Sequence, residues 1–487
     1  MDLEQQLSEF RALRRQLEEA IQPHATSVDG RGFSLQASLY GLAFEAGGYV
    51  VLEEDSTEPR LGQLLSLGPT SAEGPEFSGD GGLRTKVMLR AAEGQGVVLA
   101  GDGRPFHDVL ARPAEPDEVR AHLEATAPRR ARLAVGELAL APGVPLTLDA
   151  GGFDRHSFLC GQSGSGKTYA LGVVLERLLH ETELRIVVLD PNSDFVRLGE
   201  ARPEAGPKEV ARHGELGGSI LVRRSGEGPD RLALRAVDIG PELLAAALRL
   251  DPIADREEYA VLLDFAEHGV ASVEELVAGD SPIAKRARNL GAADWGVWAR
   301  GEPISVLNDL HGDARCLVVD LGSLPTRDEQ RLVAAAVLST LWRERERRQP
   351  VLIVMDEAHN VCPAEPDDPL TALSTELAVR IAAEGRKFGL YLLVSTQRPQ
   401  KVAENALSQC DNLLLMRMNS RADLAFVGDV FSFVPPGLLA RATDFVQGEC
   451  LVAGKIAPHP AFLRIGARVT HEGGGDVPAD WAAARPA

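Results

Sequence analysis

The stretch GQSGSGKT (161–168) carries the spacing G-x-x-x-x-G-K-T between an apolar run, HSFLC, and the helix-forming YALGVVLERLL. Glycines at this spacing let backbone N–H groups close around phosphate oxygens, and the N-terminal end of the following helix adds partial positive charge. Lys167 is placed to reach β and γ phosphates and Thr168 to hold a magnesium ion. The segment therefore reads as a P-loop for ATP with Mg2+, its cradle made of Gly161, Ser163, Gly164, Ser165, Gly166, Lys167, Thr168 and Tyr169.

Hydrolysis also needs a carboxylate in the metal shell and a group that orients water. Three aspartates end or follow apolar runs: Asp190 in RIVVLD, Asp320 in CLVVD and Asp356 in VLIVMD. Only Asp356 is followed by a second carboxylate, Glu357, so both roles are filled at adjacent positions, Asp356 with Thr168 at the metal and Glu357 at the water. Asp190 and Asp320 read as structural, with Asp190 also able to line the same cleft.

The stretch EGRKFGLYLLVSTQRPQ (384–400) supplies two more candidates. A strand running from after Lys387 to Ser395 places Gln397 at the edge where nucleotides bind in open α/β sheets, as a sensor of the γ-phosphate. Arg386 sits at the other end of that strand, and about six extended residues span roughly 20 Å, too far for the same phosphate. It either closes a helix in solvent, where a cation suits the dipole, or reaches the nucleotide of a neighbouring subunit in a ring.

These residues require a scaffold. After Asp149, apolar strands alternate with helices, the pattern of a parallel sheet with crossover helices, so the fold class is α/β. Residues 240–300 read as consecutive helices, an inserted helical subdomain. The α/β pattern resumes at CLVVDLGSL, where Thr326 followed by Glu329 announces a helix through a capping box. Between 33 and 148, short strands with Gly-rich turns predict a small β-barrel interrupted by one helix near PDEVRAHLEA. At the start, Leu3, Leu7, Phe10, Leu17 and Ile21 form a heptad-like seam, either one helix packed on its own domain or a docking helix for a partner. The expected division is 1–25 helix, 26–148 barrel, 149–467 ATPase domain, and 468–487 an irregular tail.

Composition sets the outer limits. The chain has 487 residues, 44% hydrophobic and 25% charged, which fits two or three soluble globular domains. Its apolar runs fall short of the roughly 18 residues a spanning helix needs, so no membrane is expected and the cytosol is the expected compartment. Five cysteines without a C-x-x-C pair argue against a zinc site or a disulfide framework and for buried thiols. A net charge of -20 speaks against coating nucleic acid with the outer surface, and leaves room for a basic channel.

Taken in order, FDRHSFLCGQSGSGKT, the DP pair Asp190–Pro191, MDEAHN, EGRKFG, STQRP and ALSQCDNLLLMRM resemble the HerA branch of the HerA and FtsK superfamily of ring-forming ATPases. The resemblance implies a RecA-like P-loop core behind an N-terminal barrel, a homo-hexamer, and DNA passing through the central channel. It implies Walker A roles for Lys167 and Thr168, a Walker B pair in Asp356 and Glu357, a sensor in Gln397 and a trans-acting arginine in Arg386. It further implies a double-stranded DNA translocase working with a separate, NurA-like nuclease. The alternative is an ATPase scaffold in antiviral defence that regulates a nuclease or sirtuin-like NADase effector. DPNSDF (190–195) departs from the D-P-H-G-E-Y of relatives, so positions 192 and 194 inherit no role. Arg223, Arg224 and the AKRAR run (284–288) are candidate channel cations, equally well explained as a solvated surface.

Overall fold

The computed structural model describes residues 3–54, 58–78, 84–268, 273, 277–301 and 303–474. Its first unit is a closed barrel of six strands, β1 His24–Ser27, β2 Gly32–Ser38, β3 Tyr49–Glu53, β4 Arg60–Ser78, β5 Arg84–Ala100 and β6 Phe106–Pro113. Inward positions such as Phe33, Leu35, Val50, Leu52, Leu64 and Phe106 alternate along the strands and form a small core of their own. β4 and β5 run 19 and 17 residues, so their ends extend beyond the barrel as a two-stranded arm.

Helix α1 (Leu3–Glu19) packs on its own domain, against that arm. Phe10 meets Phe77 edge to face at 5.4 Å, and Glu18 accepts a hydrogen bond from the Arg90 backbone N–H at 2.7 Å. The inward stripe runs through buried Gln6 and Glu18 and half-buried Phe10 and Leu17, leaving Leu7, expected in the seam, 41% exposed. Helix α2 (Pro116–Thr126) follows the last barrel strand, its Glu118 paired with Arg112 of β6 at 2.8 Å.

The second unit is an 11-stranded sheet built on β7 Arg132–Leu138, β8 Pro145–Asp149, β9 His156–Cys160, β10 Arg185–Asp190, β11 Ile220–Arg223, β12 Cys316–Asp320, β13 Val351–Met355, β14 Leu390–Thr396, β15 Cys410–Met416, β16 Glu449–Gly454 and β17 Ala461–Ile465. The order is β11-β12-β10-β13-β14-β9-β15-β16-β17-β7-β8, parallel from β11 to β15 and antiparallel beyond. Every residue of β9, β12 and β13 is buried, as parallel strands covered on both faces require. Helix α3 (Lys167–Glu181) lies in the core on one face, and helices Arg327–Arg343 and Pro369–Glu384 in the core on the other. The capping box at Thr326 is present, its hydroxyl accepting from the Glu329 backbone N–H.

Two boundaries differ from expectation. The hairpin 132–149, expected with the barrel, belongs to the large sheet, because β7 pairs with β17 from the far end of the chain. The tail does not loosen at 468: Arg468, Val469 and Thr470 are buried, and 475–487 lie outside the described residues. Helices at 241–247, 256–268 and 282–289 occupy the expected insertion. All five cysteines are buried, and no described helix is long and apolar enough to cross a membrane.

Candidate nucleotide site

The site forms where β9, β13 and β14 end side by side. Gly166 caps α3 with φ 93°, a left-handed conformation that a side chain disfavours. The loop before it is anchored by Gln162 N–H to the Arg417 carbonyl and by Gly448 N–H to the Ser165 carbonyl, at 2.9 and 3.0 Å. β15 and the turn into β16 thus hold the P-loop open around the α3 N-terminus.

Lys167 is 5% exposed and its ammonium lies 2.8 Å from Asp356 Oδ1 and 3.0 Å from Glu357 Oε1. Burial opposes its charge, yet the two carboxylates outweigh burial and raise the ammonium above its ordinary pKa. Ser395 Oγ bridges the group, donating to Asp356 Oδ1 at 2.7 Å and accepting from Lys167 at 3.2 Å. Gln397 Nε2 donates to Glu357 Oε1 at 2.9 Å. Glu357 itself sits at φ 40°, ψ 52°, a strained position for a residue with a side chain, worth about 1–3 kcal/mol and typical of functional turns.

Lys167, Asp356, Glu357 and Gln397 are therefore brought together. Thr168 is half-buried at the start of α3, and the Tyr169 hydroxyl accepts a hydrogen bond from the Arg468 backbone N–H at 2.7 Å. Arg386 is not brought to this cluster. It lies at the opposite end of β14, half exposed, 3.9 Å from Asp411 Oδ2. Asp320 serves locally, accepting from the Ser193 hydroxyl and the Ser323 backbone N–H.

Asp190 Oδ1 and Oδ2 accept from the backbone N–H groups of Asn192, Asp194 and Phe195, which folds the DPNSDF turn back on itself. Ligand oxygens of Asp190, Asp194 and Asp356 lie within 4.8 Å of one another. Burial first, with the Asp356 charge behind it, pushes Asp190 up to about 7 and Asp194 up to about 6. Asp356 Oδ2 is buried without a hydrogen bond, as is Ser165 Oγ in the cradle. Hard oxygen donors left unsatisfied beside a phosphate loop fit Mg2+ and nucleotide.

Ser395, His359 and Asp194 were not singled out from sequence. Ser395 in β14 and Gln397 just past its end are two residues apart, so they point to the same side, and that period was the available signal. His359 Nδ1 lies 3.3 Å from Glu357 Oε2 and 3.1 Å from Thr396 Oγ1. A cavity of about 680 Å³ opens beside Glu357, His359 and Gln397, with Arg327, Arg331 and Arg398 on its walls. The proposed channel cations are largely engaged: Arg223 with Asp309, Arg286 with Asp255, and Lys285 and Arg288 with Asp280, while Arg224 is 59% exposed and 3.9 Å from Asp320.

The family described as "Helicase HerA, central domain" matches residues 133–294. The DNA double-strand break repair helicase HerA of Pyrococcus furiosus is 23% identical over 386 residues, 68% of this chain and 69% of that protein. Its namesake from Saccharolobus solfataricus is 24% identical over 391 residues, 75% and 74% of the two chains. Among solved structures, VirB4 of Thermoanaerobacter pseudethanolicus is 19% identical with a TM-score of 0.48, covering 69% of this chain and 97% of that one. By these sequence matches, and alongside its P-loop, the chain is similar to the HerA-type ATPases.

Proposed function

We propose that the protein is a ring-forming motor that hydrolyses ATP to translocate along double-stranded DNA, acting with a separate nuclease or effector subunit. The observation that carries this reading is the convergence of Lys167, Asp356, Glu357 and Gln397 at one end of the parallel sheet. The names of the HerA relatives supply the DNA half.

Lys167 is paired with both Asp356 and Glu357. On binding, the loop 161–168 takes the phosphates through its backbone N–H groups, and Lys167 exchanges the carboxylates for the β and γ oxygens. Thr168 and Asp356 would hold Mg2+, which supplies charge neutralisation on the phosphates. Glu357, freed of Lys167, orients the attacking water and takes its proton. Gln397, already hydrogen-bonded to Glu357, links that carboxylate to the γ-phosphate position. Arg386 is assigned to the neighbouring subunit's nucleotide in a homo-hexamer, since its own site lies a strand length away.

A second reading, an ATPase scaffold of a defence complex, draws support from the ion pairs that engage most of the candidate channel cations. One experiment separates the two. ATPase rate is measured with and without duplex DNA, together with DNA binding across salt. Stimulation by duplex, with binding that weakens steeply as salt rises, supports the translocase. A rate indifferent to DNA, with no binding at low salt, favours the scaffold.

A further inference from the structure

Arg468 is among the largest fully buried side chains, 1% exposed, in a segment that the catalytic mechanism does not use. Its surroundings are built to receive it. Gly172, in the interior of α3, lies under the guanidinium: a Cβ there would stand 2.5 Å from Arg468 Cζ. Glycine inside a helix costs about 1 kcal/mol against alanine, so the gap is maintained at a cost. Glu176, one turn on and fully buried, lies 3.6 Å from Arg468 Nε. It also accepts from the backbone N–H groups of Val469 and Thr470 at 2.8 and 2.7 Å, and from the Thr470 hydroxyl.

The same segment grips the DPNSDF turn. Gly473 N–H donates to the Asp194 carbonyl at 2.8 Å and Gly474 N–H to the Ser193 carbonyl at 3.1 Å. The Arg468 guanidinium stacks over Phe195 at 5.8 Å from its ring centre, and Phe195 N–H in turn donates to Asp190 Oδ2 at 2.8 Å. A Cβ at Gly473 would overlap the Ser193 carbonyl oxygen. The segment is thus fastened on one side to the P-loop helix and on the other to the turn that brings Asp190 and Asp194 to Asp356.

We propose that residues 466–474 are a clasp that positions the Asp190–Phe195 turn, and with it the Asp194 carboxylate, at the metal side of the nucleotide site, Arg468 and Gly473 being positioning residues. The proposal rests on reading the site as one for ATP with a divalent cation. A carboxylate approaching a metal needs its backbone held, and loss of such outer support typically lowers metal affinity about 10–100-fold.

The test is Gly473→Ala, which displaces the clasp from the turn and leaves the buried Arg468–Glu176 pair alone. Three quantities are read on the full chain: affinity for a fluorescent ATP analogue in EDTA, Mn2+ affinity by electron paramagnetic resonance with ATP bound in a Glu357→Gln background, and the Mg2+ concentration for half-maximal hydrolysis. The expected result is unchanged analogue affinity, Mn2+ affinity about tenfold weaker and a Mg2+ requirement raised to match. Asp194→Ala should give the same loss, and the double variant no more than either single. Mn2+ affinity and Mg2+ requirement within twofold of wild type in folded Gly473→Ala overturn the proposal. So does a parallel fall in EDTA analogue affinity, which would place the effect on the P-loop helix. Should Gly473→Ala fail to fold, an Asp194→Ala protein with wild-type Mn2+ affinity overturns it equally. A wild-type protein that binds no Mn2+ with ATP defeats the nucleotide-site reading itself, and is told apart by that control.

Discussion

Removing the ammonium from Lys167 tests how far its pairing with Asp356 and Glu357 stabilises the fold. In Lys167→Met, Asp356 and Glu357 stay buried with no cation between them. At 2.8 and 3.0 Å the gross attraction is about 6 kcal/mol to each carboxylate for an effective dielectric near 20. Desolvation of three charges takes much of that back, and breaking a buried pair by deleting one partner leaves a net loss of about 3–5 kcal/mol. For a cooperative unit of roughly 300–350 residues the unfolding entropy is about 0.7 kcal/mol per degree, so the melting midpoint should fall by about 4–7 °C. Scanning calorimetry without nucleotide or metal reads this directly. Adding Asp356→Asn to Lys167→Met should restore part of the loss, since replacing both partners strands less charge. A Lys167→Met midpoint within about 1 °C of wild type, with ATP binding lost, would refute the buried ion pairs as a source of stability and leave Lys167 a role only in nucleotide binding.

Glu357→Gln should bind ATP while turnover falls by about 10²–10⁴-fold, the usual worth of a positioned general base, as measured by single-turnover hydrolysis beside equilibrium nucleotide binding. Mixing Arg386→Ala with Lys167→Ala subunits, each inactive alone, should restore hydrolysis at interfaces that pair an intact P-loop with an intact arginine; with subunit exchange verified, a dead mixture sinks the trans assignment. Burial pushes His156 and His459 down to about 4, so the fold carries both neutral while the unfolded chain binds a proton on each below about 6.5. The unfolded state then holds more protons between pH 4 and 6.5, and stability should drop by about 2 kcal/mol per histidine on going from pH 7 to 5, a slope that His459→Gln, beside Tyr49, should reduce in denaturant titrations.

Local pattern was enough for the chemistry that local pattern controls. The phosphate loop is a contiguous turn whose glycine spacing and helix start are set by neighbours in the chain, so GQSGSGKT could be read directly. The same holds for the Thr326 capping box and for the buried parallel strands behind Asp190, Asp320 and Asp356, whose apolar runs follow from burial on both faces. The end of the apolar run at Ser395 placed Gln397 at a strand's end, and the adjacency of Asp356 and Glu357 marked the carboxylate pair. What these residues touch was a different matter. Only the sheet order puts β14 between β13 and β9, which sets Ser395 and Gln397 against Lys167, Asp356 and Glu357 from three separate parts of the chain. Strand pairing is settled by long-range burial, which leaves no trace in the residues near a strand, and for that reason the hairpin 132–149 read as barrel although β7 pairs with β17. RVTHEGGG reads as loose tail because its polar and glycine residues suit a loop. Tertiary structure buries its first residues, Arg468 to Thr470, since Gly172 and Glu176 lie nearly three hundred residues earlier and open a space that fits Arg468.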